Sequence, residues 1–224
     1  MTPQPVMRCA FAAVVVAALL AAPVAFSGYY ARYHTVAARV APNAHEYDRS
    51  LKRALAFDPS FNYANQLMAQ YALREGKLGA AREYQAAAMR SFVSVTGLER
   101  MGVILSRLGE REGARELLEM AARVQPGNVS ALEQLALFAF DENDSDRLQE
   151  VTGEILRSDL ENLNAHYLRA LDAQRTGNPE AALHSLQRVS AGLAKGGDVT
   201  RRFGGTREEV DRRLADLKRA VEAR

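Results

Sequence analysis

The chain has 224 residues, with 29 Lys and Arg against 27 Asp and Glu and a formal net charge of +2. That length suits one to two domains, and the balanced charge lacks the basic excess that marks a nucleic-acid binder. The one cysteine, Cys9, cannot form an intrachain disulfide, and no Cys-x-x-Cys-His run is present to hold haem covalently.

Residues 1–8 read as a tail ending in Arg8, and residues 9–31 carry no charge. At about 1.5 Å per residue a helix of that length spans roughly the ~30 Å hydrocarbon core of a bilayer. The expectation is an uncleaved transmembrane anchor, with Tyr29, Tyr30 and Tyr33 as an interfacial belt. The alternative is a signal peptide cut after Ala25-Phe26-Ser27, although the 18-residue apolar run Cys9–Phe26 exceeds the usual signal core of about 7–15 residues. A basic head directly before an apolar run is how an export anchor begins. It predicts an inner-membrane, single-pass protein with everything C-terminal to the anchor in the periplasm. Residues 32–43 are expected to form a juxtamembrane helix.

Over residues 44–194 the chain repeats itself. Gly76, Gly109, Asn143 and Gly177 recur at spacings of 33, 34 and 34 residues. Each is preceded by a small residue (Ala69, Gly102, Ala136, Ala170) and followed by Ala81, Ala114, Leu148 or Ala182. Small residues at those places let the two helices of one unit approach closely, and the punctuating position makes the turn between them. This pattern resembles the tetratricopeptide repeat (TPR) family, whose unit is a helix, a tight turn, a second helix and a closing proline. The copy at 95–128 carries it most fully, from Leu98, Met101 and Gly102 through Gly109 and Ala114 to Pro126. The copy at 62–94 has Gln85 where the family prefers an aromatic residue. The copy at 129–162 has Asn143 at its turn and Leu160 in place of proline. The resemblance implies an all-α fold, a right-handed α-solenoid of about four TPR-like helix pairs behind the N-terminal transmembrane helix.

Residues 195–206, with two Gly-Gly pairs, read as a loop, and Thr206-x-x-Glu209 is a capping box for a last helix. Val210, Leu214, Leu217 and Val221 form one apolar stripe along it. A C-terminal capping helix over the last repeat is predicted within 195–224.

Little in the chain suggests chemistry. His34, His45, His166 and His184 show no metal-ligand spacing. The run from Asp141 resembles the start of a calcium loop, but Asp146 and Thr152 stand where Gly and Glu are required. The reading is therefore not an enzyme, with no cofactor, no metal, no nucleic acid and no small-molecule substrate. From Asp141 to Glu161 there are eight acidic and two basic residues. Asp141, Glu142, Asp144 and Asp146 are read as an acidic docking patch for a basic partner surface.

The resemblance further implies a concave groove lined by the first helix of each unit, for a partner's peptide or helix. Transferred to this chain the lining is Tyr63, Gln66, Gln70, Glu99, Val103, Glu133, Leu137, Phe140, Tyr167, Leu171 and Gln174. The carboxylate clamp of chaperone-docking members is missing, since of Gln66, Gln70, Arg100, Ser130 and Gln134 only Arg100 is basic. The expected function is a membrane-anchored scaffold or assembly factor recruiting subunits of a bacterial envelope complex, such as a pilus or secretion, cytochrome-maturation or polysaccharide machine. A permanent accessory subunit of a membrane complex is the alternative.

Overall fold

The computed structural model describes residues 26–197, 199 and 206–222. Among them the regular structure is helical and no strand occurs. The chain divides into two compact units, Met1–Gly109 and Glu110–Arg224.

In the first unit, helix α1 (26–39) precedes α2 (Ala44–Phe57), α3 (Asn62–Arg74), α4 (Leu78–Ser91) and α5 (Val95–Leu108). Each helix contacts its neighbour in sequence from α2 to α5. Asn43 starts α2 by accepting from the Glu46 amide at 2.9 Å, and Ser94 starts α5 by accepting from the Gly97 amide at 3.0 Å. The core is built on small residues. Ala38, Leu51, Ala54, Ala64 and Met68 form one cluster and Ala72, Ala81 and Ile104 another. Alanine at these crossings lets helix axes approach closely, while each fully buried Leu or Ile contributes about 1.5–3 kcal/mol. Gln85, at the place of the family's aromatic residue, is fully buried and satisfied: it donates to the Gly97 carbonyl at 3.2 Å and accepts from Arg100 at 3.4 Å.

Helix α1 corrects the membrane reading. Residues 9–25 of the expected anchor lie outside the described residues. Among the described ones no helix is long and apolar enough to cross a membrane. Residues 26–31 run without a break into 32–39, which carry Arg32 and Arg39. Ala31, Thr35 and Ala38 bury one face of α1 against protein. The Tyr30 ring stacks on Phe57 of α2 with centroids 5.0 Å apart, so this tyrosine packs against the protein's own helix. The single-pass inner-membrane placement with a periplasmic repeat domain is accordingly withdrawn.

In the second unit α6 (Arg111–Val124), α7 (Val129–Asp141), α8 (Ser145–Ser158), α9 (Leu163–Arg175), α10 (Pro179–Ala194) and α11 (Arg207–Glu222) follow in order, each packed on the next. Asn128, Asp144, Asn162 and Asn178 cap α7 to α10 through side-chain oxygens that accept the amide three residues on. The core gathers Tyr167, Leu171, Leu186 and Val189 with Val199, Val210 and Leu217, and Leu214 packs at its edge. The C-terminal stripe is thus buried as expected, and the Glu209 amide donates to Thr206 Oγ1 at 3.3 Å, half of the expected capping box.

The punctuating residues share one backbone state. Gly76, Gly109, Asn143 and Gly177 have φ of 71°, 84°, 59° and 75°, the left-handed conformation that ends a helix and reverses the chain. A second device recurs at the same period. Arg107 Nη1 reaches the Leu73 carbonyl at 3.4 Å, 34 residues back, and Arg175 Nη1 reaches the Phe140 carbonyl at 3.1 Å, 35 residues back. Each guanidinium meets a carbonyl at the end of the preceding first helix, where the last four lack intrahelical donors.

Candidate partner-binding surfaces

In the first unit α3 and α5 leave a cleft of about 490 Å³ between them, lined by Gln70, Leu73, Arg74, Thr96, Glu99, Arg100, Val103 and Arg107. Three of the five groove residues expected in this unit, Gln70, Glu99 and Val103, meet here. Tyr63 lies further toward the start of α3 and is 43% exposed. Gln66 donates to Asn62 Oδ1 at 2.6 Å. Arg74 and Arg107 were not among the expected residues. Both stand in the last turn of a first helix, where a basic residue reads as an ordinary partner of the helix dipole. Arg100 is half-buried, and desolvation lowers the pKa of its guanidinium.

In the second unit the expected groove residues are engaged within the protein. Leu137 and Leu171 are each 9% exposed and Tyr167 is 1% exposed. Burial pushes the Tyr167 hydroxyl pKa above its usual value. Glu133 Oε1 accepts from Asn162 at 3.0 Å and from Asn164 at 3.1 Å. The Arg175 guanidinium lies 5.1 Å from the Phe140 ring centroid, and Gln174 Oε1 accepts from Arg213 of α11 at 3.2 Å. What remains is a pocket of about 50 Å³ lined by Glu133, Leu137 and Tyr167 with Val199. The C-terminal segment covers α9 as well as α10, because Val210 and Leu217 join the cluster that holds Tyr167 and Leu171.

The four residues expected to form an acidic docking patch also take separate roles. Asp141 pairs with Arg111 at 2.6 Å and Glu142 pairs with Arg115. These arginines sit over the Phe138 ring at 5.4 and 5.8 Å. Asp144 caps α8 through the Arg147 amide at 2.9 Å, and Asp146 is exposed. A wider cleft of about 740 Å³ between α6, α7 and α8 has Leu132, Leu135 and Val151 in its lining. At its edge Arg147 bridges Glu119 at 3.5 Å and Glu150 at 2.7 Å. Of the histidines, His166 Nε2 bonds the Leu160 carbonyl at 3.0 Å, and desolvation lowers its pKa. Among the described residues no group of three or more His, Cys, Asp or Glu could hold a metal ion.

Helix pairs closed by left-handed turns at a 33 to 34 residue period define the class: the chain has the tetratricopeptide-repeat fold. Solved structures bear this out. The protein is similar to PilW, described as a widely conserved type IV pilus biogenesis factor, with a TM-score of 0.64 at 16% identity over 84% of this chain and 86% of that one. It is similar to MamA, with a TM-score of 0.65 at 15% identity over 75% of this chain and 96% of that one. It is also similar to YrrB, described as a TPR protein with an unusual peptide-binding site, with a TM-score of 0.59 at 19% identity over 71% of this chain and 82% of that one. At such identities the likeness is one of fold. The sequence matches no protein-family model and no curated relative.

Proposed function

We propose that the protein is a non-catalytic scaffold that holds other proteins during assembly of a larger complex, with the α3–α5 cleft as its docking surface. The observation that carries this reading is that cleft: it lies between first helices and offers exposed Gln70, Arg74 and Arg107 to a partner. The peptide-binding site named for YrrB and the biogenesis role named for PilW support it, since both proteins share the fold. A permanent-subunit reading is favoured by one feature. Phe26, Tyr29, Tyr33 and Val36 along α1, and Val40 just past its end, are each 58% exposed or more, an apolar set that a lasting partner would cover.

Photo-crosslinking residues introduced in the full chain at Gln70 and Val103, and at the exposed Glu83 and Arg90 of α4 as controls, test the proposal in cells. Adducts from Gln70 and Val103 alone are expected. Adducts only from the α4 positions, or none, would sink the docking assignment. Co-purification at fixed stoichiometry through every salt wash would favour the permanent subunit.

A further inference from the structure

The α3–α5 cleft has a charge character that its docking role does not require. Arg49, Arg111, Arg115 and Arg147 each meet a carboxylate. Arg74, Arg100 and Arg107, which line the cleft together, make no ion pair among the described residues. Glu99 attracts Arg100 electrostatically, and the hydrogen bonds of Arg100 and Arg107 go to the Gln85 amide oxygen and the Leu73 carbonyl, each at 3.4 Å. Both hydrogen bonds are long and neutral, well short of a guanidinium's capacity for paired, charge-assisted bonds. Against these three cations the lining sets one carboxylate, Glu99, and between them it presents Leu73 and Val103.

We propose that this cleft takes an acidic, partly apolar peptide segment of a partner protein, whose carboxylates meet Arg74, Arg100 and Arg107 and whose apolar side chains meet Leu73 and Val103. The proposal rests on the docking reading above and adds the chemistry of the occupant. Charge complementarity selects an acidic ligand, because three guanidiniums, one of them half-buried, face a single carboxylate of their own chain, Glu99, and pair with none among the described residues. The same lining argues against a nucleic-acid backbone. Glu99 would repel a uniform row of phosphates, Leu73 and Val103 would be wasted on it, and the whole chain carries a net charge of only +2. A peptide that alternates acidic and apolar residues can bring carboxylates to the three arginines and apolar side chains to Leu73 and Val103 while leaving no charge opposite Glu99.

The test is fluorescence anisotropy on the full chain with two labelled peptides, one of mixed Glu, Asp and Leu and one with Gln and Asn in place of the acids. The acidic peptide is expected to bind on the order of tenfold more tightly and to weaken as salt rises. Arg74→Glu should abolish that preference, while Arg90→Glu on α4 should keep it. Equal binding of the two peptides, or equal behaviour of the two variants, would overturn the proposal, as would tighter binding of oligothymidine. Should Arg74→Glu fail to fold, Arg74→Gln and the peptide comparison on the unaltered chain still decide. If the crosslinkers at Gln70 and Val103 trap a partner while the two peptides bind alike, the docking reading stands and the acidic occupant falls.

Discussion

Asn143 is the one non-glycine residue at positive φ among the described residues, at 59°. Asparagine tolerates this conformation better than other residues with a Cβ, because its short amide bonds locally. Here the side chain also accepts from Arg175. A β-branched residue has neither advantage, so Asn143→Val should lower stability by about 2 kcal/mol while Asn143→Gly changes it by less than about 1 kcal/mol. Urea midpoints measure both, and two indistinguishable variants would contradict the strain argument. Gln85 makes a related point. In the sequence it looks like a defect at an aromatic position, and only the fold reveals that Gly97 and Arg100 supply its hydrogen bonds.

Along the helices the same position keeps returning one residue after each left-handed turn: Lys77, Glu110, Asp144 and Asn178. Asp144 and Asn178 cap their helices, whereas Lys77, at φ −82° and ψ 68°, has no side-chain bond to make there. Lys77→Asp should therefore supply the missing cap and an anion at the N-terminus of α4, gaining about 0.5–1 kcal/mol. A thermal melt that does not rise would refute the equivalence of the two sites. The turns, the cap at Thr206 and the C-terminal stripe were legible in the sequence because each depends on residues within a few positions of one another. The partner surfaces were less so. Tyr167 and Leu171 read as groove residues until Val199, Val210 and Leu217 are seen to pack with them from far along the chain. The acidic block loses Asp141 and Glu142 to Arg111 and Arg115, 30 and 27 residues away. Nor could local spacing reveal that Arg74 and Arg107, each at the end of its own helix, border one cleft with Arg100.

For the molecule as a whole, burial bounds the pH range of greatest stability. Desolvation lowers the His166 pKa below its ordinary 6.5, so the folded state resists protonation that the unfolded chain accepts. This contribution is complete above the ordinary histidine range and is lost as pH falls through it. Tyr47 and Tyr167 are shifted the other way, above 10.0, mainly by burial. Their contribution is complete below the ordinary tyrosine range and is lost as pH rises through it toward the folded-state values. Stability should form a plateau between the two limits, with His166→Gln flattening the acid edge and leaving the alkaline one. Denaturant midpoints across pH would show this, and an unchanged acid edge in the variant would exonerate His166.

The neighbour-to-neighbour packing described for each unit also bears on how the chain comes into being. In the first unit α2 touches α3, α3 touches α4 and α4 touches α5; in the second each helix touches the next, and α7 reaches no further than α9. Contacts so local demand little loop closure before they form, and ordering can start at any adjacent pair. During translation α3 and α4 have every residue of their shared interface as soon as Ser91 leaves the ribosome. The cleft between α3 and α5 can likewise be complete once Leu108 has emerged, while residues beyond it are still being synthesised.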